Sequence, residues 1–224
     1  KRELAWALPA SRVKLRDQLD AYIDRVRRDG TLAQLMERYF APAKNLGRPD
    51  AGALHDRIAT VLPGLRKYFQ AAQDETGLDW RLLAAISYQE SQWDADATSE
   101  TGVRGIMQIT EDTAKRVGLI NRLDAQTSIT AAAHYLRELR DKLPKRITEP
   151  DRTWMMLAAF NIGLGHLEDA RVLAQKMKGN PDHWSDVRKA LPLLAEPEYF
   201  GQAKLGYARG GMPVAFVQRV RAYY

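Results

Sequence analysis

Cysteine is absent from this 224-residue chain, which rules out a disulfide framework, a thiolate metal site and a cysteine nucleophile. The absence leaves the compartment open, and it is compatible with an oxidising periplasm, where a stray thiol is a liability. Histidine is scarce. His55, His134, His166 and His183 are scattered with no two at metal-ligand spacing, and they read as surface or satisfied core residues. No metal and no cofactor is expected. Long apolar runs are missing as well; none approaches the ~20 residues that a membrane span requires. Lys1-Arg2-Glu3 leads straight into Leu4-Ala5-Trp6-Ala7-Leu8, which lacks the layout of a targeting segment and reads as the inside of a longer protein. No internal repeat, low-complexity tract, zinc-finger, helix-turn-helix or RNA-binding signature is present, so nucleic acid is not an expected partner. The net charge of +6 and pI near 9.5 still allow contact with an acidic polymer. The densest cations, Arg12, Lys14, Arg16, Arg25, Arg27 and Arg28, read as a solvated helix face.

What is there is an ordinary globular balance, 45% hydrophobic and 28% charged, in a chain long enough to bury roughly 70% of its unfolded surface. Leu15, Leu19, Ile23 and Val26 recur at helical spacing, Gly30 ends that helix, and Thr31 caps another carrying Leu32, Leu35, Met36 and Tyr39. The Pro-, Gly- and Asn-rich stretch from Ala41 to Asp50 breaks the periodicity and marks a boundary. The expected organisation is residues 1–41, a linker at 42–51, and a main domain at 52–224. That domain reads as all-α, with helices expected at 52–61, 63–76, 79–91, 110–117, 126–143, 150–161, 163–177, 183–190 and 213–223. A small hairpin at 103–109 is the one β candidate.

Chemistry concentrates after the helix expected at 79–91. Glu90 follows Leu83 by seven residues and Ile86 by four, which sets a carboxyl group on the face of an apolar stripe. Burial there would favour the protonated form, and an acid protonated near neutrality can donate to a leaving-group oxygen. Spacing alone equally allows a Glu at a helix end that reaches solvent. Downstream, Gly102 and Gly105 permit a tight turn close to a ligand, and Met107 and Gln108 offer an apolar and an amide contact suited to a sugar. Such turns also occur in ordinary cores. Trp93 stands equally as a groove residue or a core residue, whereas Trp80 and Trp154 read as core. Asp94 and Asp96 read as turn and capping residues.

Three segments carry a family resemblance: Glu90-Ser91, then Gly105-Ile106-Met107-Gln108-Ile109, then Ala159-Phe160-Asn161-Ile162-Gly163. In order and spacing they resemble the Glu-Ser, Gly-Leu-Met-Gln and Ala-Tyr-Asn-Ala-Gly motifs of the family 1 lytic transglycosylases. Gly206-Tyr207 and Phe216-Val217 are similar to that family's closing segment. The resemblance implies a lysozyme-like fold of the goose-lysozyme and soluble lytic transglycosylase type. It also implies non-hydrolytic cleavage of the MurNAc-β-1,4-GlcNAc bond of peptidoglycan to 1,6-anhydro-MurNAc ends. Glu90 would be the catalytic residue, acting as acid and then base. Ser91, Ser99, Met107, Gln108, Phe160, Asn161 and Tyr207 would bind or border substrate, with Ser91 read as local hydrogen-bond support and Tyr207 as a substitute for a hydroxyl lost at Phe160. The family has Tyr where this chain has Phe160, and it often has an acid before the closing pair where this chain reads Met212-Pro213-Val214-Ala215.

A second resemblance lies ahead of the linker. Leu4–Pro9 and Asp29–Leu35 resemble the end of family 3 periplasmic solute-binding proteins. It implies that residues 1–41 are the C-terminal remnant of a regulatory domain that would act on the catalytic domain within one chain. The implied partners are peptidoglycan strands and muropeptides, the implied state is a monomer, and the implied location is the periplasm at the inner leaflet of the outer membrane. Two alternatives stay open: a goose-type hydrolase, and a non-catalytic muropeptide-binding module.

Overall fold

The computed structural model describes residues 7–28, 32, 48–98 and 103–224. It divides into two compact units, Lys1–Pro42 and Ala43–Tyr224. In the first unit, α1 (Val13–Arg28) ends on Arg25, Arg27 and Arg28, cations that complement the negative end of the helix dipole. Its stripe grades from exposed Leu15 to buried Val26. The second helix expected in this unit, with its Thr31 cap, lies outside the described residues, as does most of the expected linker.

The second unit is all-α among its described residues. Its helices are α2 (Arg48–Thr60), α3 (Leu62–Thr76), α4 (Trp80–Ser91), α5 (Glu111–Val117), α6 (Ala125–Lys142), α7 (Asp151–Ile162), α8 (Leu164–Lys176), α9 (Trp184–Ala190), α10 (Pro197–Phe200) and α11 (Gly211–Tyr223). Expected and observed ends mostly agree because the punctuation is strong. Gly77 and Gly118 close α3 and α5 in the left-handed conformation, at φ 71° and 70°. Asp79 and Asp124 cap α4 and α6 by accepting the N–H groups of Arg81 and Thr127. The largest shifts are at starts: α11 begins at Gly211 rather than 213, and α2 at Arg48 rather than 52, so residues 48–51 of the expected linker are helical. Pro49 does not prevent this, because a first-turn residue has no intrahelical acceptor for the N–H that proline lacks.

Two helices form the centre. In α7 the six residues Trp154–Ala159 are all buried, and in α4 the seven residues Leu82–Tyr88 are all buried. Helices apolar on every side belong inside a fold. Helix α7 packs against α6, α8, α9 and α11, and α11 also packs on α4. Arg152, near the start of α7, donates to the carbonyls of Arg140, Leu143, Pro144 and Ile147, so it satisfies groups that the end of α6 would leave bare.

The hairpin expected at 103–109 is not formed. In its place stand two isolated antiparallel bridges, Thr98 with Arg104 and Arg104 with Ile109. The chain turns too sharply for a ladder: Gly105 takes φ 81° and Gln108 φ 44°, leaving four residues to close the turn between the paired positions.

Candidate active site

Glu90 occupies the last turn of α4. Because the seven residues before Gln89 are buried, the carboxyl group sits at the mouth of an apolar interior, partly exposed. Desolvation by burial pushes its pKa from 4.5 up to about 8. Among the described residues no cation or hydrogen-bond donor is recorded against it. At neutral pH this group is a protonated acid with its proton uncommitted.

The backbone just beyond is forced. Gln92 and Trp93 take φ values of 53° and 64°, a left-handed pair of non-glycine residues, and Gln108 is a third. Surrounding bonds hold them there: Arg57 Nε donates to the Gln92 carbonyl at 2.6 Å, and Trp93 Nε1 donates to the Ala84 carbonyl at 2.8 Å. Strain of this kind gathers at sites whose geometry is specified by function.

Two serines on one face of α4 clip the second motif to it. Ser87 Oγ and Ser91 Oγ both donate to the Ile106 carbonyl, at 3.1 and 2.9 Å. Ser91 therefore supports the protein framework, its hydroxyl facing the carbonyls of Ile106 and Ser87. Gly105 allows the close approach: a Cβ there would lie 1.8 Å from the Arg122 carbonyl oxygen. Gln108 Nε2 donates to the carbonyls of Ala97 and Gly105, at 3.1 and 3.0 Å, which leaves the amide oxygen as its free function. Met107 is fully buried. This corrects the expectation of a direct sugar contact, since its thioether fills the core beneath the turn. Trp93 resolves in the same way, 5% exposed with its ring edge-on to Tyr88 at 4.9 Å. Asp94 caps a turn by accepting the Asp96 N–H. Ser99 lies outside the described residues.

The third motif ends α7. Asn161 is exposed and available. Phe160 is partly buried, stacked on Phe216 at 6.2 Å and tilted against Tyr135 at 6.0 Å. Tyr135 and Ser87 are the members that sequence reasoning missed. Ser87 carried a faint signal, standing four residues before Ser91, whereas Tyr135 carried none within an ordinary helical pattern. Tyr207 is 56% exposed and lies edge-on against Phe200 at 5.8 Å. No bond from its hydroxyl to Glu90 is recorded, so the substitution expected of it is not made here. Ser87, Ser91 and the 105–108 turn are thus joined through one carbonyl, with Glu90 next to Ser91 in sequence, and Phe160, which precedes Asn161, joins α6, α7 and α11 through its ring contacts. Among the described residues, no group of three His, Asp or Glu side chains is arranged to hold a metal ion, and no helix is long and apolar enough to cross a membrane.

An all-α unit with a half-buried carboxyl group at a helix end, unpaired among the described residues and next to a glycine turn clipped to the same helix, defines a lysozyme-like class of protein. The chain belongs to the Transglycosylase SLT domain family, which matches residues 67–183, just over half of its length. It is 52% identical over 223 residues to the membrane-bound lytic murein transglycosylase F of Methylobacillus flagellatus, and 51% identical over 225 residues to that of Thiobacillus denitrificans. The like-named protein of Nitrosospira multiformis is 49% identical over 221 residues. These matches cover 99%, 100% and 98% of this chain but 47%, 48% and 46% of the relatives. The chain spans about half the length of the curated relatives it matches.

Proposed function

We propose that the protein is a peptidoglycan lytic transglycosylase with Glu90 as its single acid/base. The observation that carries this reading is the carboxyl group of Glu90, held protonated near neutrality by burial alone and without a recorded partner. Glu90 donates its proton to the oxygen bridging MurNAc and GlcNAc, and the C1–O bond breaks with the GlcNAc side leaving as an alcohol. The 2-acetamido oxygen of MurNAc stabilises the electron-poor C1. Glu90, now a carboxylate, takes the proton of the C6 hydroxyl, whose oxygen bonds to C1 and closes the 1,6-anhydro ring. The carboxyl group returns to its starting state and no water is consumed. A raised pKa serves both halves, because an acid near neutrality gives up and regains a proton at comparable cost. Gln108 Oε1 and the Asn161 side chain supply polar contacts to the glycan, the Phe160 ring borders it, and Ser99 and Tyr207 extend the binding surface.

A hydrolase would place a second carboxylate to activate water. Asp94, the nearest in sequence, is exposed and holds a local turn by accepting the Asp96 N–H at one oxygen, and no contact between it and Glu90 is found among the described residues. Mass analysis of products from purified sacculi tests it: anhydro-muropeptides one water lighter than hydrolytic products are expected, and reducing-end muramic acid would overturn the reading in favour of a hydrolase.

The relatives' name, membrane-bound lytic murein transglycosylase F, supports work at the cell envelope. We infer a periplasmic protein at the inner leaflet of the outer membrane. Residues 1–41 would be the remnant of a solute-binding regulator, 42–51 its connection, and 52–224 a catalytic domain that works as a monomer. Comparing a full-length protein with and without muropeptide tests the regulatory part; equal activity in both would reject it.

A further inference from the structure

We propose that Leu205 joins Tyr207 as a glycan contact, and that Asp169 is the positioning residue that fixes the segment carrying both; this rests on the murein-cleaving reading above. The segment, residues 201–210, connects α10 to α11 outside any helix or strand. Loops held on a rigid scaffold commonly carry binding side chains. Three devices hold this one.

Asp169 is the first. It lies on α8 with its side chain 9% exposed, and a carboxylate so buried needs donors. The donors are the backbone N–H groups of Lys204 and Leu205, given to Oδ1 at 3.0 Å and Oδ2 at 2.9 Å. His166 Nδ1 stands 4.0 Å from Oδ2, beyond hydrogen-bond reach, so the carboxylate serves the segment's backbone. One side chain thereby clamps two consecutive peptide units onto the helix. Gly165 is the second device. A Cβ there would lie 2.4 Å from Leu205 Cδ1, so the leucine rests where a side chain is missing. Gly206 is the third, turning the chain between Leu205 and Tyr207 at φ 75°. Beyond it the Ala208 N–H is given to the Leu194 carbonyl at 3.0 Å, which closes the far end.

Despite this anchoring, Leu205 stays 52% exposed and Tyr207 56% exposed. A lone exposed leucine is ordinary. This one is clamped through its own backbone N–H and seated on a glycine, two residues from an exposed aromatic ring. An aliphatic and an aromatic side chain held ready together suit the apolar faces of sugar rings, at no cost for ordering a loop on binding. Position ties them to the groove. Gly165 follows the exposed Asn161 by four residues, at most ~14 Å of chain, so Leu205 rests at the end of the third motif and a glycan passing Asn161 meets it next.

The test is calorimetric titration of the 224-residue chain, carrying Glu90→Gln to prevent turnover, with a peptide-free tetrasaccharide of alternating GlcNAc and MurNAc. Saturable binding is expected, weakened about tenfold by Asp169→Ala and about threefold by Leu205→Ala. Asp169→Asn, which keeps one acceptor oxygen, should fall between the parent and Asp169→Ala. Gly165→Ala, whose Cβ displaces the leucine side chain, should match Leu205→Ala and add nothing to it, since both act through one contact. With Glu90 restored, the same changes should raise KM for anhydro release and leave kcat and its pH profile unmoved, which a general loss of structure would not do. Leu205 is half exposed, so Leu205→Ala decides the matter even where Asp169→Ala fails to fold. Absence of saturable binding, parental affinity in Leu205→Ala, or a loss confined to kcat would overturn the proposal. Binding that depends on Asp169 and Leu205 in a chain that releases no anhydro product would keep the contact and reject the cleavage reading; anhydro release with binding indifferent to both residues would do the reverse.

Discussion

Glu90 and Glu138 have the same side chain and opposite surroundings. Glu138 lies on the outer face of α6, where the Lys142 ammonium, four residues on, and the Arg116 guanidinium hold its carboxyl group below the ordinary range. Glu90 lies at the end of a helix buried from Leu82 to Tyr88; among the described residues no cation pairs with it, and its pKa rises to about 8. The difference lies in what each helix packs against, since α4 is buried on all sides from Leu82 to Tyr88 and α6 along one face. A solvated, paired carboxylate keeps its charge at neutral pH. Only the isolated one can deliver a proton near neutrality.

The largest way to break this contrast is Glu90→Gln. Release of anhydro-muropeptides should fall by about 10³-fold or more, read by product mass spectrometry, because an amide cannot donate that proton. The same variant should be more stable than wild type in alkali. The folded pKa lies above the unfolded one, so between 4.5 and about 8 the native state binds the extra proton, and wild-type stability declines as pH rises through that window. Thermal unfolding at pH 5 and pH 9 should show Glu90→Gln gaining a few kcal/mol over wild type at the higher pH and little at the lower.

Gly105→Ala attacks the turn instead. Its Cβ would collide with the Arg122 carbonyl at a positive φ, so a loss of about 2 kcal/mol or more is expected in denaturant unfolding, together with reduced turnover as the turn shifts from α4. Ser87→Ala removes one of two donors to the Ile106 carbonyl and should cost about 1 kcal/mol; adding Ser91→Ala should cost more than the sum, because the carbonyl then loses its last recorded side-chain donor. Glu138→Gln is the smallest: its exposed ion pairs contribute about 0.5 kcal/mol or less, so chemical denaturation should barely register it.

Local chemistry was legible in the sequence. Gly77 and Gly118 were plausible helix stops in the sequence because capping acts between neighbours, and the ordered motifs pointed to Glu90, the 105–109 turn and Asn161. What stayed hidden depends on distant partners. Met107 and Trp93 suit a sugar by type, yet packing turns both inward. The turn of Leu191–Ala195 and the short helix α10 carry no periodic signal; the turn is shaped by contacts with α9 and α11, and α10 packs on that turn. Tyr135 reaches Phe160 only because α6 packs on α7. The isolation of Glu90 could not be read at all, since it is a statement about what the rest of the fold leaves out.

That isolation is the central claim, and it is measured most directly by following the side-chain carboxyl carbon of Glu90 by NMR as pH is raised, with Glu90→Gln to assign the signal. The account predicts a midpoint at about 8, with kcat/KM for anhydro release falling through the same pH. A midpoint near the ordinary 4.5 would contradict it, because the group would then be ionised at neutral pH and unable to act first as an acid.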